Sequence, residues 1–126
     1  MKLIIAGSRH IDHLSRYWFR DTLSNFNIDC TLSADPIEID EIVSGGASGV
    51  DTCGEKFAKS YHIPVKQFLP DWSLYGKYAG PKRNKEMAIY ADALLLIWNG
   101  KSLGSKNMKN EMQKLGKPIF EVIIDH

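Results

Sequence analysis

The sequence has no uninterrupted apolar stretch of the ~18 residues that a membrane-spanning helix needs, so no membrane partner is expected. Cysteine is scarce. Cys30 and Cys53 are the only two, and they form neither a CxxC pair nor another metal-type spacing. Reduced thiols in a cytoplasmic setting are the expectation. Neither sign of charge dominates: 16 Lys and Arg stand against 15 Asp and Glu, a formal net charge of +1. That balance argues against broad nonspecific nucleic-acid binding but leaves room for a local basic patch. His10 and His13 stand three apart with no second pair to complete a metal site, so no metal is expected. Repeats, low-complexity tracts and linkers are absent, and Met1–Gly7 is too short for a signal peptide. What remains is ordinary for one compact domain of 126 residues, 44% apolar and 25% charged.

The apolar runs alternate with helical periodicity. Leu3-Ile4-Ile5-Ala6 and Ala93-Leu94-Leu95-Leu96-Ile97-Trp98 are continuous, as buried parallel strands require, and the second is expected at the centre of the sheet. Glu41-Ile42-Val43, Ile63–Leu69 and Pro118–Ile124 read as three further strands. A helix is expected over 14–26, with Leu14, Trp18, Thr22 and Phe26 as its apolar stripe, widened by Tyr17 and Leu23. The next stripe is the clearest, with Val50, Cys53, Phe57, Ala58 and Tyr61 on one face. A third helix opens at Pro81 and runs to about Tyr90. A fourth covers 105–115, with Met108, Met112 and Leu115 inward and Gly116 as its stop. Residues 70–79 read as an aromatic-rich loop, and 27–40 as a turn with a possible edge strand around Ile37 and Ile39. Strand followed by helix, repeated, predicts a single α/β domain over 1–126. It is a Rossmann-like doubly wound, mostly parallel sheet of about five strands with helices on both faces.

In such a sheet, ligands bind beyond the carboxyl ends of the strands. Four loops start there: Gly7-Ser8-Arg9, Ser44-Gly45-Gly46-Ala47-Ser48-Gly49 with Asp51, Gly80–Asn84, and Asn99-Gly100-Lys101-Ser102-Leu103-Gly104-Ser105. The glycine turn at 45–49 lets backbone N–H groups approach an anion, with a helix N-terminus behind it. The turn is not GxGxxG, because Ala47 stands where the second glycine belongs, and Gly100-Lys101-Ser102 is not a P-loop. Lys82 and Arg83 at a helix start suit a bound anion, since a charge-assisted hydrogen bond contributes roughly 1.5–3 kcal/mol. Arg9 is either a second clamp or a partner for Asp12 or Asp51. Asn84 either holds its loop or reads a polar ligand edge. Asp51 either contacts a ribose or base, or holds the neighbouring loop N–H groups. Trp72 and Tyr75 could cover a base, whereas Trp98 is better read as packing. Ser102 stands in a Gly-x-Ser-x-Gly frame, Gly100-Lys101-Ser102-Leu103-Gly104, but no serine nucleophile is expected.

Taken together, Gly7-Ser8-Arg9, Val43–Asp51, Arg83-Asn84 and Gly100-x-Ser102-Leu103-Gly104-Ser105 resemble the SLOG superfamily. This is the Rossmann-like group of the Smf/DprA DNA-processing proteins and the LOG (Lonely Guy) phosphoribohydrolases. Asp71-Trp72, Tyr75-Gly76-Lys77, Ala79-Gly80-Pro81 and Arg83-Asn84 with Met87 are similar to the short, single-domain YspA/YpsA-related branch. The resemblance implies a nucleotide-binding domain, a nucleotide-derived ligand, a homo-oligomer (dimer or higher) and no resident cofactor. The LOG segment Arg-Lys-x-x-Met is similar to Arg83-Asn84-Lys85-Glu86-Met87, which gives Arg83 the role of their functional arginine. Their Pro-Gly-Gly-x-Gly-Thr-x-x-Glu loop is similar to Asn99–Met108, with Met108 at the position of the catalytic glutamate. A thioether cannot do a carboxylate's acid–base work. The function expected is therefore binding of a nucleotide or nucleotide-derived molecule, as a sensor or a sequestering protein. One alternative is LOG-like N-glycosidic hydrolysis, with Arg83 and one of Glu86, Asp51 or Glu111 as catalytic candidates. The other is DprA-like single-stranded DNA binding.

Overall fold

The apolar runs pair as strands β1 (Lys2–Gly7), β2 (Glu41–Ser44), β3 (Val65–Gln67), β4 (Ala93–Trp98) and β5 (Ile119–Ile123) in a computed structural model that describes residues 1–28 and 39–124. They form one parallel sheet in the order β3-β2-β1-β4-β5. Between them lie α1 (Arg16–Asn25), α2 (Val50–Ser60), α3 (Trp72–Tyr75), α4 (Ala79–Tyr90) and α5 (Leu103–Lys114). The α/β expectation, with about five strands and both faces covered, holds.

Alternation along the two innermost strands sorts the core into two layers. Leu3 and Ile5 of β1, with Leu95 and Ile97 of β4, pack under α1 and α2 against Phe19, Leu23, Val50 and Phe57. Phe19 and Phe57 stack with ring centroids 5.1 Å apart. Ile4 and Ala6, with Leu94, Leu96 and Trp98, face α4 and α5, where Met87, Met108 and Met112 close the layer. Trp98 is a core residue, 6% exposed, and its indole N–H donates to Glu121 at 2.7 Å.

Several expectations need correction. β1, not β4, is the middle strand; β4 lies between β1 and β5. The stripe of α1, with Tyr17 and Leu23 widening it, is right at Leu23 but misses Phe19: both are fully buried, whereas Tyr17 is exposed and Trp18 sits edge-on to Phe19. Leu115 is 47% exposed, and Glu111 takes the inward position on that turn. β3 is only three residues long. Residues 72–78 are not open loop but α3 followed by a 3-10 turn at Gly76–Tyr78. That run leads directly into α4, which starts at Ala79 rather than Pro81. Lys82 and Arg83 therefore occupy its second turn, so a clash with the helix dipole no longer argues for an anion. The turn and strand read at 35–37 lie outside the described residues. No helix among the described residues is long and apolar enough to cross a membrane.

One contact fixes the sheet edge that carries the loops, and another anchors the opposite edge. At Gly7 the backbones of β1 and β4 approach so closely that an added Cβ would lie 1.7 Å from the Ile97 carbonyl oxygen. At the far end of α4, the Lys117 ammonium donates to the carbonyls of Ala88, Ile89 and Ala91 at 2.7–3.0 Å, satisfying a helix end. Gly7→Ala should cost more than about 3 kcal/mol in urea denaturation, since the clash is with backbone. Gly104→Ala, with open space around its Cβ, should change stability by no more than about 1 kcal/mol. Equal effects at the two positions would contradict the close approach.

Candidate functional site

In the order β3-β2-β1-β4-β5 the winding reverses between β1 and β4, and the chains leaving their carboxyl ends diverge to opposite faces. A cavity of about 450 Å³ opens at that switch point. Ser8 and Arg9 leave β1 there, Asn99 leaves β4, and Asp51, Arg83, Asn84, Ser102, Gly104 and Ser105 reach it from α2, α4 and the start of α5. A second cavity of about 390 Å³ adjoins it, lined by Gly45, Gly46 and Ser48 of the glycine turn and by Leu69, Pro70 and Trp72. Arg9, Ala47 and Arg83 line both and form the wall between them.

Arg83 is held rather than free. Its Nη1 donates to the Gly45 carbonyl at 2.6 Å and, more weakly, to that of Phe68 at 3.4 Å; its Nε donates to Asn84 Oδ1 at 3.0 Å. Asn84, buried, donates in turn to Asn107 Oδ1 at 2.9 Å and to the Gly104 carbonyl, tying α4 to α5. None of these bonds uses Nη2. Burial lowers the proton affinity of Arg83, Asp51 raises it, and the nearby charge of Arg9 lowers it again. No ion pair joins either arginine to a carboxylate among the described residues.

The glycine turn differs from an open anion cradle. The Gly46 N–H donates to Ser44 Oγ at 3.1 Å and the Ala47 N–H to Asp51 Oδ2 at 3.3 Å. The Val50 N–H at the head of α2 donates to the Ser8 carbonyl at 3.2 Å. Gly49, at φ +77°, permits this docking: a Cβ there would meet the Ser8 and Arg9 carbonyls at 2.4 Å. Ser44 also donates to Glu55, which accepts from Gln67, so the turn is braced from α2 and β3. The donors expected to meet a phosphate are thus largely engaged within the protein. The anion-attracting side chains of the cleft are Arg9, Arg83 and Lys101.

Among the described residues, Asp51 is the one carboxylate lining the cavity, and it is 6% exposed. Burial pushes its carboxyl up to about 6, against the opposing effects of the Ala47 N–H and Arg83; Glu55 adds to the rise. The loop after β4 is capped from within. Asn99 Oδ1 accepts from the N–H groups of Lys101 and Ser102, and Ser102 Oγ accepts from that of Ser105. The Ser105 hydroxyl, by contrast, is buried on the cavity wall without a hydrogen-bond partner.

Other residues singled out in the sequence do not line the cleft. Tyr75 is 40% exposed and lies beneath the Lys82 ammonium, which is paired with Glu86. Glu111 is buried but pairs with Lys114. Asp71 caps α3, accepting from the Leu74 N–H at 3.1 Å. Gly100, at φ +83°, shapes its loop without facing the cavity. Of the four catalytic candidates, Arg83 and Asp51 reach the cavity, and Glu86 and Glu111 do not. Lining residues not assigned to the site individually are Ala6, His10, Met87, Lys101 and Met108, although Lys101 lies in a loop singled out as a whole. His10 and Lys101 sit in loops that follow strand ends, and that position could have marked them. Met87 reads from sequence only as an apolar helix position. No group of metal-ligating side chains occurs among the described residues.

The folded chain holds the Asp51 proton more tightly than the unfolded chain does. Its stabilising share is therefore complete below about pH 4 and is lost as pH rises through 6. Asp51→Asn removes this dependence. Between pH 4 and 7.5, urea denaturation should show the mutant gaining on the wild type by up to about 3 kcal/mol. Superimposable pH profiles would mean that the carboxyl is not held protonated.

Searched against protein-family models, the chain matches none. Among solved structures, it superposes on DNA processing protein A (DprA) from Streptococcus pneumoniae with a TM-score of 0.69. The match covers 95% of this chain and 49% of DprA, so the chain spans about half the length of that protein, at 15% identity. The fold is therefore the one expected from the Smf/DprA–LOG resemblance. Among curated proteins, it is 33% identical over 125 residues to the Gene 61 protein of Mycobacterium phage D29, covering 94% of each chain. At that identity over nearly the full length of both, the chain belongs to the family of the phage D29 Gene 61 protein.

Proposed function

We propose that the cleft binds a nucleotide or nucleotide-derived molecule through its phosphate, as a sensor or a sequestering protein. The observation that carries this reading is the wall of Arg9 and Arg83 at the switch point, two guanidinium groups that share the cavity with one buried carboxyl whose proton affinity is raised. An anion there offsets their repulsion, and Arg83 is already oriented by Gly45 and Asn84. The buried Ser105 hydroxyl supplies a further polar contact. Binding is favoured over N-glycosidic hydrolysis because Met108 lines the cavity while Glu86 and Glu111 stand outside it. Within SLOG, the segments around Asp71-Trp72 and Arg83-Asn84 support the YspA/YpsA-related branch. A second reading, single-stranded DNA binding, takes its support from the fold shared with the DNA processing protein.

In a thermal-shift panel of nucleoside mono-, di- and triphosphates, at least one should raise the wild-type Tm by several degrees at saturating concentration. Arg83→Ala and Arg9→Ala should each weaken that ligand about 10- to 100-fold, the loss of one charge-assisted hydrogen bond. Lys82→Ala, outside the cleft, should leave its affinity unchanged. An undiminished shift in both arginine variants would place the site elsewhere. Affinity only for oligonucleotides, falling steeply with salt, would favour the DNA reading.

A further inference from the structure

The two cavities differ in chemistry although they share a wall. The switch-point cavity combines polar groups, Asp51, Asn99, Ser102 and the unpartnered, buried Ser105 hydroxyl, with an apolar floor of Ala6, Met87 and Met108. The second has an apolar side formed by Leu69, Pro70 and Trp72. Leu69 lies directly on the glycine turn, where an added Cβ at Gly46 would meet its Cδ2 at 2.5 Å. Trp72 rests its ring edge toward Gly80 and remains 51% exposed. Leu69, admitted by Gly46, and Trp72 thus place two large apolar side chains beside a cationic wall.

Each cavity alone, at about 450 and 390 Å³, falls in the range that takes one small ligand, ~300–1,000 Å³. A mononucleotide held by its phosphate on the shared wall fills one of them and leaves the other wet. We propose that the natural ligand has two halves joined through phosphate, a dinucleotide or a nucleotide carrying a second sugar-like unit. The linking phosphate sits on the Arg9–Arg83 wall, one half enters the switch-point cavity, and a flat base lies over Trp72. This rests on the nucleotide reading above and adds to it the class of ligand. It also accounts for the exposed tryptophan, because an aromatic face next to a cation is suited to base stacking.

The proposal is tested by calorimetric titration of the full chain with four probes: AMP, the linear dinucleotide pApA, NAD and an oligo-dA of about ten nucleotides. At least one of pApA and NAD should bind ten or more times tighter than AMP. Trp72→Ala should weaken that two-unit probe by about 5- to 150-fold, the range of base–aromatic stacking, and leave AMP unchanged. Tyr78→Ala, an equally exposed aromatic outside both cavities, should change neither. Tryptophan fluorescence should be quenched by the two-unit probe and not by AMP, and Trp72→Phe should remove the quenching. AMP binding as tightly as both two-unit probes overturns the proposal and leaves the nucleotide reading standing. Equal loss of AMP and the two-unit probe in Trp72→Ala does the same. Affinity that climbs with oligonucleotide length overturns it in favour of strand binding, and no binding by any probe sinks both readings.

Discussion

The structure of the cleft depends on one buried arrangement: Arg83 and Asp51 gripping the same glycine turn from opposite sides. Arg83 holds the turn by the Gly45 carbonyl, and Asp51 holds it by the Ala47 N–H. An added Cβ at Gly45 would lie 2.4 Å from the Arg83 guanidinium and 3.0 Å from the Asp51 carboxylate. Only a glycine there lets both charges close on the backbone. Neither charge is fully compensated by the other, because they do not form a close ion pair and burial keeps the carboxyl partly protonated near neutrality. An uncompensated buried charge is costly unless something pairs with it. On the proposed reading, a ligand phosphate is that partner.

Topology delivers the remaining parts. The reversal of winding between β1 and β4 opens a crevice without any sequence devoted to opening it. Gly7 seats β1 against β4 and Gly49 brings the first two loops into backbone contact, so that Ser8 ties both together and Arg9 lies beyond it. Asn84 transmits the position of α5 to Arg83. The cleft is thus rigid at its polar floor, while its aromatic side stands on the short α3 next to the edge strand β3. That division suits a fixed phosphate contact and a more adaptable base contact.

Much of the fold was legible in the sequence because buried parallel strands leave an unmistakable record. The runs at 3–6 and 93–98 are apolar on both faces, and such strands must be covered by helices. Helix faces were less legible. Trp18 and Phe19 are adjacent and both apolar, so periodicity alone could not say which of them enters the core. Three of the four stretches follow strand ends, where their glycines and polar residues mark them; Gly80–Asn84 lies within α4 instead. What each donor does was not legible. Whether the N–H groups of 46 and 47 face a ligand or a side chain depends on Ser44 and Asp51 folding back, a tertiary outcome. Arg83 illustrates the same limit. Its helix begins two residues earlier than Pro81 suggests, so the dipole argument fails, and the arginine matters through its grip on Gly45.

The most direct test is the titration of the Asp51 carboxyl itself, followed by carbon NMR with and without the nucleotide that binds best. In the free protein it should titrate near 6. A phosphate on the Arg9–Arg83 wall places negative charge beside it and draws Arg83 toward the ligand, so the bound form should titrate at a higher pH. A value that is unchanged or lowered on binding would contradict the claim that the ligand's phosphate sits on that wall.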